Sequence, residues 1–342
     1  MSKQRESIIA NLVATVILCM LIGLCSLVTL QAQSSMSTAT PVSASTAVPA
    51  SALDLRLVFY GYPKIGVPRS GAAIIGKSGL SDVHDITFSL IGGELSPSGR
   101  FIAYDSCSNT NRGIYLARPD GSRPQMVIRV GGDYCVDIRW SPDSAKFSYT
   151  NPQDRSLHIF DIAGKSDTLI PNIQDADWHW WSPAGNEIVY GWRARGEPIG
   201  PAGRLLYITD LRGNNRQLTF TKDFVPCARE RNLVDTWAPA WSPDGNTISF
   251  TQCERLFVVS PSGNDLRQLT TPRSASPPSP EMPMTSAYSP RWSPDGRWII
   301  FIGDGNSLKR ISTDGNTMVE IGKLPYRGGP FSIAPLSMNS RR

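Results

Sequence analysis

WSPDGNTISF, residues 241–250, recurs along the chain with small changes, as LSPSGRFIAY at 95–104, WSPDSAKFSY at 140–149, WSPAGNEIVY at 181–190 and WSPDGRWIIF at 292–301. Ser-Pro-Asp-Gly suits a tight hairpin. Pro presets φ at the second turn position, Asp tolerates the third, and Gly takes the left-handed conformation at the fourth. The residues that follow read as a strand, with Ile248 and Phe250 in alternation and with Ile300 beside Phe301 where both faces are expected to be buried. Each copy leads into a second apolar strand and a second turn: GIYLARPDGSRP at 113–124, SLHIFDIAGKS at 156–166, RLLYITDLRGNN at 204–215, RLFVVSPSGND at 255–265 and SLKRISTDGNT at 307–317. A short closing strand completes the unit. One unit is therefore an antiparallel sheet of about four strands. Such a sheet cannot bury both faces alone, whereas copies stacked around an axis do.

The Pro of the first turn falls at 97, 142, 183, 243 and 294, in steps of 45, 41, 60 and 51 residues. A period of roughly 40–45 residues with insertions is that of a propeller. Leu57 to Tyr60 and Ala72 to Gly76 match the second and third strands of a further unit that lacks its opening strand. PFSIAP at 330–335 resembles APAWSP at 238–243, and Pro335 lies 41 residues after Pro294. The C-terminal strand is expected to enter the first blade and close the ring, leaving no open edge. The expected fold is an all-β, six-bladed propeller over residues 53–337, with 338–342 as a tail.

These W-S-P-D-G repeats resemble the WD40-like (PD40) repeats of the TolB family of propellers, over about residues 55–337. The resemblance implies the fold. TolB itself carries an α/β domain before its propeller, where this sequence has a short tether, so a Tol-Pal role does not follow. Propellers of this type also precede the catalytic domain of prolyl-oligopeptidase-like peptidases, for which this sequence leaves no room.

Ahead of the repeats, Ile8 to Leu30 is a run of 23 residues without charge. As a helix it would span about 35 Å, enough to cross a bilayer. Lys3 and Arg5 precede it and no basic cluster follows, which places residues 1–7 in the cytoplasm and the propeller outside. The alternative is a cleaved signal peptide and a secreted protein. The length of the run and the poor cleavage site at Leu30-Gln31-Ala32 favour an uncleaved signal anchor and a single-pass protein of the cell membrane. Residues 31–52 are Ser, Thr, Ala, Pro and Gln without charge, as expected of a disordered tether. A formal net charge of +5, with Lys and Arg scattered, argues against a nucleic-acid partner.

The sequence has no G-x-S-x-G, H-E-x-x-H, EF-hand loop or C-x-x-C. His84, His158 and His179 are the only histidines, and the latter two are expected to be packed in strands rather than to bind metal. Asp residues of the first turns are read as turn formers rather than calcium ligands. No cofactor is expected. Trp178, Trp180, Trp181 and Trp192 form a cluster in which Trp181 aligns with the core Trp of the other repeats. Trp192 ends a strand and opens an insertion, so it is the member expected to be exposed.

The insertions 193–203, 220–236 and 271–287 all fall on the face opposite the Ser-Pro and Asp-Gly turns. Loops on a rigid scaffold carry function. That face holds Trp192, Arg193, Arg195, Glu197, Lys222, Asp223, Arg229 and Arg231, the candidate binding residues, with Glu230 and Asp235 beside them. Repeat alignment puts Cys107 with Cys135, and Cys227 with Cys253, on one blade edge each, and an oxidising compartment would permit both disulfides. The expected function is a non-catalytic binding or scaffold module for a protein or peptide partner. A cell-envelope glycan binder, or a glycan-active enzyme built from acidic residues on the axis, is the alternative.

Overall fold

The computed structural model describes residues 55–61, 69–76, 79–86, 91–106, 112–132, 136–192, 204–224, 236–271, 287–325 and 331–335. The expected membrane helix at 8–30, the tether at 31–52 and the tail at 338–342 lie outside them. Among the described residues no helix is long and apolar enough to cross a membrane. The protein is an all-β propeller, and its described residues form six four-stranded antiparallel sheets.

The first sheet contains β1 (Leu55–Gly61), β2 (Arg69–Gly76) and β3 (Gly79–Ile86). The second contains β4 (Ile91–Leu95), β5 (Ile102–Asp105), β6 (Gly113–Ala117) and β7 (Gln125–Arg129). The third contains β8 (Ile138–Trp140), β9 (Lys146–Thr150), β10 (Leu157–Asp161) and β11 (Ser166–Leu169). The fourth contains β12 (Ala176–Trp181), β13 (Glu187–Trp192), β14 (Leu205–Asp210) and β15 (Asn215–Gln217). The fifth contains β16 (Thr236–Trp241), β17 (Ile248–Gln252), β18 (Arg255–Val259) and β19 (Arg267–Gln268). The sixth contains β20 (Tyr288–Trp292), β21 (Trp298–Ile302), β22 (Ser307–Ser312) and β23 (Met318–Lys323). The last strand, β24 (Phe331–Pro335), returns to the first sheet and pairs antiparallel with β1, with Leu57 opposite Ile333 and Phe59 opposite Phe331. The inner strands β24, β4, β8, β12, β16 and β20 touch one another in that order, and β20 touches β24 in turn.

The repeat text is explained by its local bonds. In the fifth sheet the Gly245 amide donates to Ser242 O at 3.0 Å, with Gly245 at φ +78°. The Thr247 amide donates to Ser242 Oγ at 2.9 Å, and the Ser242 hydroxyl donates to Asp244 Oδ1. Ser293 and Asp295 repeat the hydroxyl–carboxylate bond at 2.6 Å. The turn Asp residues thus hold the hairpin, as the sequence led us to expect. The core Trp stitches sheet to sheet. Trp140 Nε1 donates to Glu94 O at 2.9 Å, Trp181 Nε1 to Arg139 O at 3.2 Å, and Trp292 Nε1 to Ala240 O at 2.9 Å. Each acceptor is the residue one place before the core position of the preceding sheet. Trp241 departs from the pattern and donates to Gly245 O in its own turn. Around these indoles lie the apolar layers between sheets, such as Phe147, Tyr149 and Phe160 packed against Ala103 and Ile114. Burial of an aromatic side chain in such a layer stabilises by roughly 1.5–3 kcal/mol.

Candidate functional site

The position one before each core Trp belongs to the innermost strand. Side chains alternate along a strand, so this residue leaves the sheet on the face opposite to its core neighbour. The six residues there are Glu94, Arg139, Trp180, Ala240, Arg291 and Ser332. Inner strands carry a register shift just ahead of them, between Ile91 and Glu94, Asp177 and His179, Trp237 and Ala240, and Tyr288 and Arg291. Trp178, Ala238 and Ser289, each three residues before its core Trp, sit at φ +48°, +49° and +51°. A left-handed conformation costs a non-glycine residue about 1–2 kcal/mol. A bulge bends its strand and re-aims the next side chains, here toward the axis.

On the axis those side chains meet. Arg139 Nη1 lies 3.6 Å from Glu94 Oε2, and Arg139 Nη2 lies 2.8 Å from Asp137 Oδ1. The guanidinium carbons of Arg139 and Arg291 stand over the Trp180 ring at 5.5 and 4.6 Å. Arg291 also lies 5.8 Å from the Phe331 ring centre, so β24 contributes to the cluster. Glu94, Arg139 and Arg291 are only 7%, 4% and 2% exposed. His179 Nδ1 lies 3.2 Å from Asp137 Oδ2, an ion-pair distance whose direction falls short of a hydrogen bond. Its Nε2 meets Ser148 Oγ at 2.7 Å. His179 is thus a packed, bonded residue of β12.

Burial sets the charges apart. It lifts the Glu94 carboxyl above its ordinary value, and Arg139 and Arg291 offset this only in part. Burial would lift Asp137 as well, but Arg139 and His179 outweigh it and hold that carboxyl at about 2. Arg291 is pulled down to about 10 by burial and by the neighbouring Arg139. Because the folded value for Asp137 lies below the ordinary 3.8, its ionised form stabilises the fold above about pH 4. That contribution disappears as pH falls toward 2. Glu94 works in the opposite sense: its cost is relieved as pH falls through its raised value toward 4.5. Asp137→Asn should therefore flatten the acid limb of stability between about pH 4 and 2, removing on the order of 2 kcal/mol of pH dependence. Urea denaturation across that range measures it, and an unchanged acid limb would contradict the assignment.

At the insertion-rich end of the axis two half-buried tryptophans stand together. Trp178 and Trp237 have ring centres 5.8 Å apart, and the Arg204 guanidinium lies 4.6 Å over Trp237. Trp178 and Trp237 lie in the entering halves of β12 and β16, and Arg204 directly follows the 193–203 insertion, which fixes all three on that face. The four clustered tryptophans of the sequence thus go to four places: Trp178 to this mouth, Trp180 to the axis, Trp181 to the layer between sheets, and Trp192 to a separate cleft between the third and fourth sheets. Trp192 is half-buried, edge-on to Tyr207 at 5.2 Å.

Lys222 and Asp223 occupy a short 3-10 turn at Thr221–Asp223. Asp223 Oδ2 accepts the Phe220 amide at 2.8 Å, and Lys222 Nζ lies 5.7 Å over the Phe220 ring. Both therefore have local partners in that turn. Arg193, Arg195, Glu197, Arg229, Glu230, Arg231 and Asp235 lie outside the described residues, as do Cys107, Cys135 and Cys227. Cys253 is disulfide-bonded, and its partner lies outside the described residues. The axial cluster and the Trp178–Trp237–Arg204 mouth escaped the sequence reading. The signal was the column one place before W-S-P, which reads Glu, Arg, Trp, Ala, Arg, Ser.

Among solved structures, TolB from Acinetobacter baumannii matches with a TM-score of 0.60 at 17% identity, over 84% of this chain and 68% of that one. The fold is a TolB-like β-propeller. A chain of the nidogen/laminin complex matches with a TM-score of 0.59 at 10% identity, over 82% of this chain and 98% of that one. An oligogalacturonate lyase in complex with manganese matches with a TM-score of 0.50 at 12% identity, over 77% of this chain and 72% of that one. Identities this low carry the fold and not an activity. No family model matches the chain. Among curated proteins, the uncharacterized peptidase YuxL of Bacillus subtilis (strain 168) is 30% identical over 100 residues, which make up 26% of this chain. The chain spans only about 14% of the length of that relative.

Proposed function

We propose that this protein is a non-catalytic binding module: a closed six-bladed propeller, held outside the membrane by its N-terminal segment, that presents its insertion-rich face to a protein or peptide partner. The six four-stranded sheets and the closed succession of inner-strand contacts support the blade count. The observation that carries the binding reading is the Trp178–Trp237–Arg204 mouth. Partly exposed Trp beside Arg is the composition of interface hot spots. The charged insertions 193–203 and 220–236 border this mouth in the chain. Disulfides Cys107–Cys135 and Cys227–Cys253 would fix the loops of this face, and the bonded state of Cys253 supports the second of them.

The enzyme reading has one point in its favour, the opposite shifts of Glu94 and Asp137, which are what an acid–base pair needs. Against it, both carboxylates already contact Arg139, and Glu94 is buried. A photoreactive residue at Lys222 in the full chain, expressed in its own cells, tests the binding reading. A single protein partner should cross-link from Lys222 and not from Asn246 on the opposite turn face. Trp237→Ala should lower the yield about tenfold, as loss of a hot spot does. Equal cross-linking from both faces, no cross-link, or an unchanged yield in Trp237→Ala would overturn it.

A further inference from the structure

Trp192 is foreign to its position. It ends the second strand of its sheet, where the other repeats carry Ser106, Asn151, Gln252 and Gly303. The propeller scaffold therefore does not call for an indole there. Tyr190 and Trp192 share one face of β13 by alternation, and Tyr207 of β14 lies directly opposite Tyr190. Trp192 meets Tyr207 edge-on at 76°, and the Tyr190 and Tyr207 rings lie 6.0 Å apart. The result is an aromatic wall on the side of the fourth sheet that faces the third.

This wall borders a cleft of about 660 Å³, within the range of roughly 300–1,000 Å³ for small-molecule sites. The other side is polar. Asn172 and Gln174, from the link between the two sheets, line it with exposed side chains that have no protein partner among the described residues. Asn215 and Asp154 line it as well. Asn215 is already oriented, since its Oδ1 accepts the Tyr190 hydroxyl at 3.0 Å. Asp175 in the lining is ion-paired to Arg155 at 3.0 Å. Among the described residues, no Lys or Arg lines the cleft.

We infer that this cleft is a binding site for a neutral saccharide. The C–H face of a pyranose ring carries a slight positive charge and stacks on the negative face of an aromatic ring. Its hydroxyls take hydrogen bonds from side-chain amides and give them to carboxylates. A ligand bearing carboxylates would meet the Asp154 charge, and the described cation beside the cleft, Arg155, is already paired with Asp175, so uronic-acid polymers are disfavoured. The site is separate from the Trp178–Trp237 mouth and does not depend on the partner proposed there.

Calorimetric titration of the full chain in detergent with chitohexaose, maltohexaose and cellohexaose, with hexagalacturonate as the acidic control, tests the assignment. At least one neutral oligosaccharide should bind and hexagalacturonate should not. Trp192→Ala should weaken that binding by about tenfold or more, equivalent to about 1.4 kcal/mol. Trp192→Phe should keep part of it. Gln174→Ala, an exposed change that leaves the core intact, should weaken binding several-fold and guards against misfolding of the Trp variant. Binding of none of the neutral sugars, equal binding of hexagalacturonate, or full binding by both Trp192→Ala and Gln174→Ala would overturn the site. Cross-linking from Lys222 should be unchanged in Trp192→Ala, so failure here and failure of the partner reading are distinguishable.

Discussion

Arg139→Met should destabilise the protein by about 3–5 kcal/mol at neutral pH, the scale for removing one partner of a buried ion pair. Arg139 serves two carboxylates at once, at 3.6 Å to Glu94 and 2.8 Å to Asp137. Its loss leaves Glu94, 7% exposed, with Arg291 as the remaining cation near it, and Asp137 with His179. A hydrophobic isostere fills the space over Trp180 but meets neither charge. The deficit should shrink on acidification. The Glu94 carboxyl is already raised by burial, and without Arg139 it rises further, so protonation relieves the strain as pH falls toward 4.5. Combining Arg139→Met with Glu94→Gln should recover a large part of the loss at neutral pH, because a neutral amide no longer needs a counter-charge. Urea denaturation of the single and double variants at neutral pH and at about pH 5 reads all three expectations. A single variant within about 1 kcal/mol of the parent would show that the axial pairs contribute little.

Phe331→Ala should cost about 3–5 kcal/mol, the range for truncating a buried Phe. Phe331 is 2% exposed and packs with Leu55, Leu57, Ile75, Ile300 and Leu308, joining the first sheet to the sixth. It also underlies Arg291. Its neighbour Ser332 accepts the Leu95 amide at 2.9 Å, a bond between residues 237 apart that ties the last strand to the second sheet. Deleting 331–342 should be more severe than the point change. It exposes the whole β1 edge, with unpaired N–H and C=O groups that invite association with another chain. Thermal unfolding and light scattering of the two variants measure this. The truncated chain is expected to aggregate or fail to fold, and a soluble monomer with parental stability would contradict the role given to β24.

How legible these features were depends on the range of the interaction. The hairpins could be read because Ser242, Pro243, Asp244 and Gly245 decide their conformation within four residues. The match of PFSIAP to the repeat text likewise pointed to a strand beside β1, and that pairing is present. The axial cluster is different in kind. Glu94, Arg139, Trp180 and Arg291 follow one another at intervals of 45, 41 and 111 residues, and only the curvature of the whole assembly brings them together. Each alone reads as an ordinary polar or aromatic residue ahead of a strand end. The bulges at Trp178, Ala238 and Ser289 were equally hidden, since none of these residue types favours a left-handed backbone. Trp192 was singled out from its place at a strand end, but Asn172 and Gln174 come from the link that precedes its sheet and Asp154 from a turn of the neighbouring sheet, and none of them had a mark in the sequence.

Both candidate sites rest on a ring that the C-terminal strand completes, and a cysteine pair at Arg56 and Ala334 tests that completion most directly. The two residues are opposed in the β1–β24 ladder, and opposed positions in an antiparallel pair have Cα atoms about 4.5–5.5 Å apart, within disulfide range. Mild oxidation of the Arg56→Cys, Ala334→Cys double variant should produce an intramolecular link, seen as a single cross-linked peptide pair in a monomeric protein. A link found only between separate chains, or no link in a folded protein, would contradict closure of the propeller by its own last strand.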